Sequence, residues 1–206
     1  MEYAVKPEEH ELRSARQVVE GAMEACKAAM DKQKDLQVGI AWGGDDLVKQ
    51  DLGGANSTEV SPEFFSVEFN SSVEGWKDRL KTVVAREYAH SCFLEQTEGL
   101  EFKWQTLLFE AHAYMFAEKM YPGKPPRVDE FSDKELEDLW PVVREALSEN
   151  SDWGSLFQGS ERFPRWLGYA FAYHIGEKLM IENYIDDFPE LKRSDVVKAG
   201  DEMFAE

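Results

Sequence analysis

The chain has 206 residues, of which 43% are apolar and 13% aromatic, so it can bury a core and is not a disordered segment. Asp and Glu number 41 against 23 Lys and Arg, which gives a formal net charge of −18. A surface with this charge repels nucleic-acid phosphates and anionic lipids, so we expect neither nucleic acid nor a membrane as a partner. The length predicts a single domain over residues 1–206.

Two features of the sequence predict a cytoplasmic protein. The N-terminal residues show no apolar run after a basic start, so they do not form a secretory signal. The two cysteines, Cys26 and Cys92, are too few for a disulfide framework. The most apolar stretch, residues 163–181, is interrupted by charged side chains and predicts a buried helix, not a membrane span.

The first third of the chain predicts one helix and two strands. Apolar residues recur at helical spacing over residues 8–34, which predicts an amphipathic N-terminal helix. The sequences QVGIAW (residues 37–42) and FFSVEF (residues 64–69) are typical of strands. The Gly- and Asp-rich stretch between them, residues 43–62, predicts a loop.

The remainder of the chain predicts helices. Two of them are preceded by a Ser-x-x-Glu capping box, Ser71 with Glu74 and Ser132 with Glu135. Pro141 should kink the second of these helices or mark a new first turn. The predicted helices span residues 74–94, 102–121, 132–148, 163–183 and 191–204. With the small early sheet, this pattern predicts a mostly helical α+β fold.

One predicted helix places a carboxylate among apolar side chains. On the helix from Glu74, apolar residues form a stripe with a period of 3.6 residues. Glu87 falls near the middle of this stripe and His90 falls at its edge. A carboxylate there is costly unless it meets a proton, a cation or a metal. The stripe therefore predicts either a structural ion pair or the lining of a functional cleft.

The sequence around this carboxylate differs from a zinc-binding motif at one position. Residues 86–90 read Arg-Glu-Tyr-Ala-His, which is HExxH with its first histidine changed to Arg86. In HExxH the two histidines hold zinc from one helical face, and the Glu takes a proton from zinc-bound water. A guanidinium has no lone pair to give to zinc. The motif therefore retains the base and only one of its two histidine ligands.

Three segments, in order, resemble the predicted zinc-dependent protease family. They are TVVAREYAHSCFLEQ, LLFEAHAYMFAE and FPRWLGYAFAYHIGEKL, at residues 82–96, 107–118 and 163–179. The family's pattern is HEYxH, then EGLA, then a helix with GYxxGY. The resemblance extends over about residues 36–181 and implies a zincin-like α+β fold whose motif-bearing core is this range.

The resemblance also implies roles for individual residues. Glu87 matches the general base, His90 the second histidine ligand and Glu110 the third ligand. Tyr169 and Tyr173 match the tyrosines of GYxxGY, which would donate hydrogen bonds to an oxyanion or to substrate. We expect the helix of Glu87 to pack antiparallel to the helix of Glu110.

Two interpretations keep this family. In the first, the metal site is degenerate and zinc is weakly bound or absent, and Arg86 is the cation that replaces the metal beside Glu87 and Glu110. Such a chain would be catalytically impaired and would bind a peptide or protein in its cleft. In the second, an active zinc-dependent peptidase uses altered ligands, with His112 or His174 completing the site. However, His112 follows Glu110 by two positions, which point about 200° apart on a helix.

Two further interpretations leave the family. A carboxylate-bridged di-metal site needs a second Glu-x-x-His, whereas His174-x-x-Glu177 has the reverse order. A non-enzymatic acidic interaction protein, or a mimic of nucleic acid, would account for the charge alone.

Overall fold

Six α-helices and a three-stranded sheet form the regular structure in a computed structural model that describes residues 7–152 and 154–205. In chain order the elements are α1 (Glu9–Ala29), β1 (Gln37–Trp42), β2 (Ala55–Val60), β3 (Phe64–Phe69), α2 (Trp76–Gln96), α3 (Lys103–Met120), α4 (Asp133–Ala146), α5 (Leu167–Glu182) and α6 (Arg193–Phe204). The predicted α+β class, with a small sheet early and helices after it, is confirmed.

The sheet has β3 in its centre, with β1 parallel on one side and β2 antiparallel on the other. The bounds of β1 and β3 are those predicted from the sequence. The prediction of a loop over residues 43–62 is wrong, because β2 lies within it. Its sequence, ANSTEV, has few strand-favouring residues, so the pairing depends on hydrogen bonds to β3. A bulge between Ser57 and Glu59 shifts the register of this pair.

Helix α1 ends at Ala29, five residues before the end predicted from its periodicity. The chain turns to an extended conformation at Met30. Beyond it, the backbone N–H groups of Gln33 and Lys34 donate to the carboxylate of Glu95, at 3.2 and 2.7 Å. The Glu95 carboxylate thus accepts hydrogen bonds from backbone N–H groups that would have bonded within α1 if the helix had been longer.

The two predicted capping boxes have different outcomes. Ser132 and Glu135 form one at the start of α4, and that helix continues through Pro141 to Ala146. The box predicted at Ser71 is wrong: α2 begins at Trp76, and the Ser71 hydroxyl donates to Glu11 of α1 instead. Helix α5 likewise begins four residues after the predicted Phe163, because Trp166 adopts a left-handed conformation with φ 73°.

The chain divides into two compact units. The first comprises the described residues up to Glu95 with Phe116–Pro126, and the second comprises Gln96–Met115 with the described residues from Arg127 onwards. In the first unit, Phe69 of β3 contacts the rings of Trp42 and Trp76, with centroids 5.4 and 5.2 Å away. In the second unit, Trp140, Phe171 and Phe204 join α4, α5 and α6 in one aromatic cluster. Among the described helices, none has both the length and the apolarity of a transmembrane span.

Candidate functional site

The site residues predicted from the sequence lie in both units. The first unit holds those on α2, which are Arg86, Glu87 and His90. The second unit holds those on α3 and α5, which are Glu110, His112, Tyr169, Tyr173 and His174.

Glu87 is a buried carboxylate whose two oxygens both take hydrogen bonds. Its side chain is 2% exposed. The hydroxyl of Ser57 donates to Oε1 at 2.6 Å, and Nε of Arg86 donates to the same oxygen at 3.1 Å. Nδ1 of His90, one turn further along α2, lies 3.1 Å from Oε2. The carboxylate predicted to lie on a core-facing stripe is therefore satisfied by polar partners in its own unit.

The guanidinium of Arg86 contacts the carboxylate of the next residue, Glu87. Consecutive residues on a helix point about 100° apart, so such neighbours seldom meet. Here Nη2 of Arg86 lies 3.0 Å from Oε1 of Glu87 and donates to the hydroxyl of Ser57 at 3.1 Å. The Arg86 side chain is 17% exposed. The predicted contact between Arg86 and a carboxylate is present at Glu87, whereas the replacement of a metal stays a prediction.

Ser57 is a member of this network that the sequence did not indicate. It lies on β2 opposite Val67 of β3, and opposed residues point to the same face of a sheet. Because Val67 is buried, Ser57 points toward the covered face, where it meets Arg86 and Glu87. The segment lacks a clear alternation of polar and apolar residues, so only the pairing register could have identified this serine.

The surroundings of Glu87 favour its ionised form. Burial alone would raise the pKa of this carboxyl, but the charges of His90 and Arg86 and hydrogen bonds from His90 and Ser57 outweigh it and lower the pKa to about 2. The group is therefore a carboxylate at neutral pH and accepts a proton only weakly.

Other polar groups fix α2 in position. The hydroxyl of Ser91 donates to the carbonyl of Pro62, just before β3, at 2.9 Å. The hydroxyl of Tyr88 donates to the carbonyl of Met30 at 2.9 Å. Cys92 follows Tyr88 by one turn of α2 and is also buried. Burial raises the pKa of the Cys26 thiol, which lies near Cys92, to about 12. These contacts leave α2 little freedom to turn its site residues.

Two ionisable side chains of α3 are buried in the second unit. Glu110 and His112 are each 1% exposed. Their positions, two apart on one helix, point about 200° from each other, as expected from the sequence. The ring of His112 lies 5.9 Å from that of Phe188. His112 therefore packs on a different side of α3 from Glu110.

A cluster of three tyrosines lies in the second unit. Tyr114 follows Glu110 by one turn of α3, and its ring lies 6.2 Å from those of Tyr169 and Tyr173. Tyr114 and Tyr173 are buried, and Tyr169 is half-buried. The sequence indicated the two tyrosines of α5 and missed Tyr114. Its spacing of four from Glu110 is the signal that could have identified it.

His174 lies in the middle of α5 and is mostly buried. Its Nδ1 lies 3.3 Å from Oε2 of Glu177, a residue 47% exposed. Its ring also lies 6.4 Å from that of Phe204 of α6. The ring of Tyr173 lies nearer, at 5.5 Å, so His174 contacts a surface carboxylate and two aromatic rings.

Helix α2 by itself does not supply a complete set of zinc ligands. Within residues 7–152 and 154–205, no group of three or more His, Cys, Asp or Glu side chains is placed to hold a metal ion. On α2, the position of the first histidine ligand carries a guanidinium, which has no lone pair to give to a metal. His90 holds Nδ1 3.1 Å from Glu87, a contact that leaves its ability to bind a metal through Nε2 unchanged. Catalytic zinc needs three protein ligands that can donate lone pairs.

Comparisons with known proteins identify a family. A family model described as predicted Zn-dependent protease (DUF2268) matches residues 16–197. Searches of curated proteins and of solved structures gave no match. The matched residues include all of α2, α3 and α5 and therefore every site residue named above.

Proposed function

The chain belongs to the family of predicted Zn-dependent proteases, and we propose that it is a member with a degenerate metal site that binds peptides or proteins and does not hydrolyse them. The observation that carries the proposal is the contact of Arg86 with Glu87, in the position where the family pattern has a zinc ligand and its base.

The hydrogen bonds of Glu87 argue against its use as a general base. A base must accept a proton from water or substrate, and it works best when its pKa lies near the working pH. Oε1 of Glu87 already faces Ser57 and Arg86, and the pKa of this carboxyl is lowered to about 2. A carboxylate held in this way is suited to forming an ion pair and not to moving a proton.

The charge of Arg86 opposes a divalent cation at the same place. Two like charges a few ångströms apart repel strongly where water is largely excluded. The guanidinium is 17% exposed and lies 3.0 Å from Glu87, so a metal beside Glu87 would be close to it. An Arg–carboxylate pair can supply the local charge balance that a metal gives in other members.

The sheet supports a binding role for this region. Ser57, which contacts Arg86 and Glu87, lies on β2. Among the strands of the described residues, β2 pairs only with β3, so its other edge carries main-chain donors and acceptors. An extended peptide can add to such an edge through main-chain hydrogen bonds. We therefore place the peptide along β2.

An active zinc-dependent peptidase with altered ligands is the second candidate. The burial of Glu110, His112 and His90, each 1–2% exposed, favours it because buried ionisable groups concentrate at functional sites. In this alternative Glu87 would act as the base, and His112 or His174 would replace the histidine lost at position 86.

Hydrolysis of a mixture of fluorogenic peptides, in the presence of added zinc, separates the two candidates. We expect the natural chain to give the same background rate as Glu87→Gln, and peptides to slow amide hydrogen exchange in β2. Turnover that is abolished both by a chelator and by Glu87→Gln would establish the peptidase and reject the proposal.

A further inference from the structure

Two large apolar side chains at the end of α5 are unusually exposed. Ile181 is 75% exposed and Tyr184 is 81% exposed. The other exposed large apolar residues among the described ones are only 37–39% exposed. Isolated exposed apolar residues are common, but two of this degree within one turn of chain form a candidate contact surface. We call Ile181 and Tyr184 the Ile181–Tyr184 patch.

The backbone that carries the patch is held in place. Asn183 caps α5, with its side-chain amide donating to the carbonyl of Leu179 at 2.9 Å. The backbone N–H of Tyr184 donates to the carboxylate of Asp187 at 3.1 Å. Ile185 and Phe188, which follow, are buried. The patch is therefore presented by an ordered segment, which reduces the conformational entropy that this segment would lose on binding a partner.

Exposed acidic residues flank the patch in the sequence. Residues 177–190 contain five exposed acidic residues and a single basic one, Lys178. Lys178 lies 2.8 Å from Glu202 of α6, so its charge is neutralised locally, and Glu182 is likewise paired with Lys198 of α6 at 2.8 Å. The negative charge near the patch is therefore carried chiefly by Asp186, Asp187 and Glu190. The acidic residues are Glu177, Glu182, Asp186, Asp187 and Glu190. An apolar centre with a charged rim has the usual arrangement of a protein interface.

We propose that the Ile181–Tyr184 patch docks a basic segment of another protein, with an aliphatic or aromatic side chain between Lys or Arg residues. Charge complementarity selects this occupant, since basic residues would meet the acidic rim while the apolar side chain covers Ile181 and Tyr184. A second copy of a chain with net charge −18 would be repelled, as would anionic lipid or nucleic acid. This proposal is independent of the site on α2.

The test uses the full chain and a random peptide library displayed on phage. We expect selection to enrich peptides in which an apolar residue lies between Lys or Arg residues. A synthetic peptide with one leucine between two Lys-Arg pairs should bind in a fluorescence anisotropy titration. The double substitution Ile181→Ser, Tyr184→Ser should weaken its binding by about tenfold or more, since exposed aromatic anchors dominate interface energies.

Controls distinguish the patch from general charge. Leu12→Ser, at a residue 39% exposed in the other unit, should leave peptide binding within about twofold of the natural chain. Asp186→Asn combined with Glu190→Gln should weaken binding and reduce its dependence on salt. Equal enrichment on the natural and doubly substituted chains, enrichment of acidic peptides, or equal binding when serine replaces the leucine would overturn the proposal. So would concentration-dependent self-association that the double substitution removes, because it would assign the patch to a second copy.

Discussion

Arg86 and Glu87 are consecutive residues of α2, yet Nε of Arg86 lies 3.1 Å from Oε1 of Glu87. The geometry of a helix does not bring such neighbours together, so the contact depends on a third residue. Ser57 of β2 supplies it, because its hydroxyl contacts the Arg86 guanidinium and donates to the same carboxylate oxygen. The three side chains join the sheet to α2 within the first unit.

Removal of Arg86 should destabilise the fold strongly. Glu87 is 2% exposed, and loss of Arg86 would leave a buried carboxylate with only Ser57 and His90 to stabilise its charge. We expect Arg86→Ala to lower the free energy of unfolding by about 3–5 kcal/mol, measured by urea denaturation at pH 7.

The matched control is Arg13→Ala, which removes an ion pair with Glu9 on the exposed face of α1. That change should cost less than about 1 kcal/mol, because exposed ion pairs contribute little. Equal losses of unfolding free energy in the two variants would show that the Arg86–Glu87 pair stabilises the fold no more than an exposed ion pair does.

Close packing of α6 on Trp140 gives a second prediction. A Cβ added to Gly200 would lie 2.2 Å from the Trp140 ring, and that ring is held by a hydrogen bond from its Nε1 to Asp201 at 2.8 Å. Gly200→Ala should therefore lower the free energy of unfolding by at least about 1–3 kcal/mol, the usual cost of overpacking a core. Gly21→Ala, in the interior of α1 with no atom within 4 Å of the added Cβ, should instead raise stability by about 0.5–1 kcal/mol. Thermal unfolding should separate the two by the sign of their change in Tm.

The carboxylate of Glu95 predicts a pH dependence of stability. Burial raises the pKa of Glu95, but hydrogen bonds from the Gln33 backbone, the Lys32 side chain and the Lys34 backbone outweigh it and lower the pKa below its ordinary 4.5. A carboxyl with a lowered folded-state pKa stabilises the fold above its unfolded pKa, and this contribution is lost as pH falls through the folded value.

We therefore expect Glu95→Gln to be less stable than the natural chain by about 1–3 kcal/mol at pH 7, as for hydrogen bonds to a charged group. This difference in stability should shrink as the pH falls below 4.5, the ordinary pKa of the carboxyl, and through the lower pKa of Glu95 in the folded chain, because Glu95 then becomes protonated. Urea denaturation at several pH values measures it. A difference that stays constant with pH would contradict the assigned role of the Glu95 charge.

Local patterns in the sequence predicted much of the fold and part of the site. The apolar runs of β1 and β3 gave their bounds because strand propensity is strong there. The burial of Glu87 followed from helical periodicity, and its contact with a cation followed from the cost of a buried charge. Each of these inferences needed only neighbouring residues and a general physical argument.

Features that depend on distant partners could not be read from local patterns. Strand β2 forms through backbone pairing with β3, and Ser57 reaches α2 only because of that register. The end of α1 depends on Glu95, and the start of α2 follows the diversion of Ser71 to Glu11. At these two helix ends, a partner far along the chain makes a hydrogen bond that local rules would assign to the helix itself.

Zinc affinity of the natural chain and of Arg86→His is the most direct test of the degenerate site. It can be measured by competition with a chromophoric chelator, with metal content determined on the dialysed proteins. We expect the natural chain to retain well below one zinc per chain, because Arg86 removes a ligand and adds a positive charge. Arg86→His should raise the content toward one, whereas Arg16→His, on exposed α1, should not. A natural chain that holds one zinc as tightly as Arg86→His would show that the metal site is not degenerate.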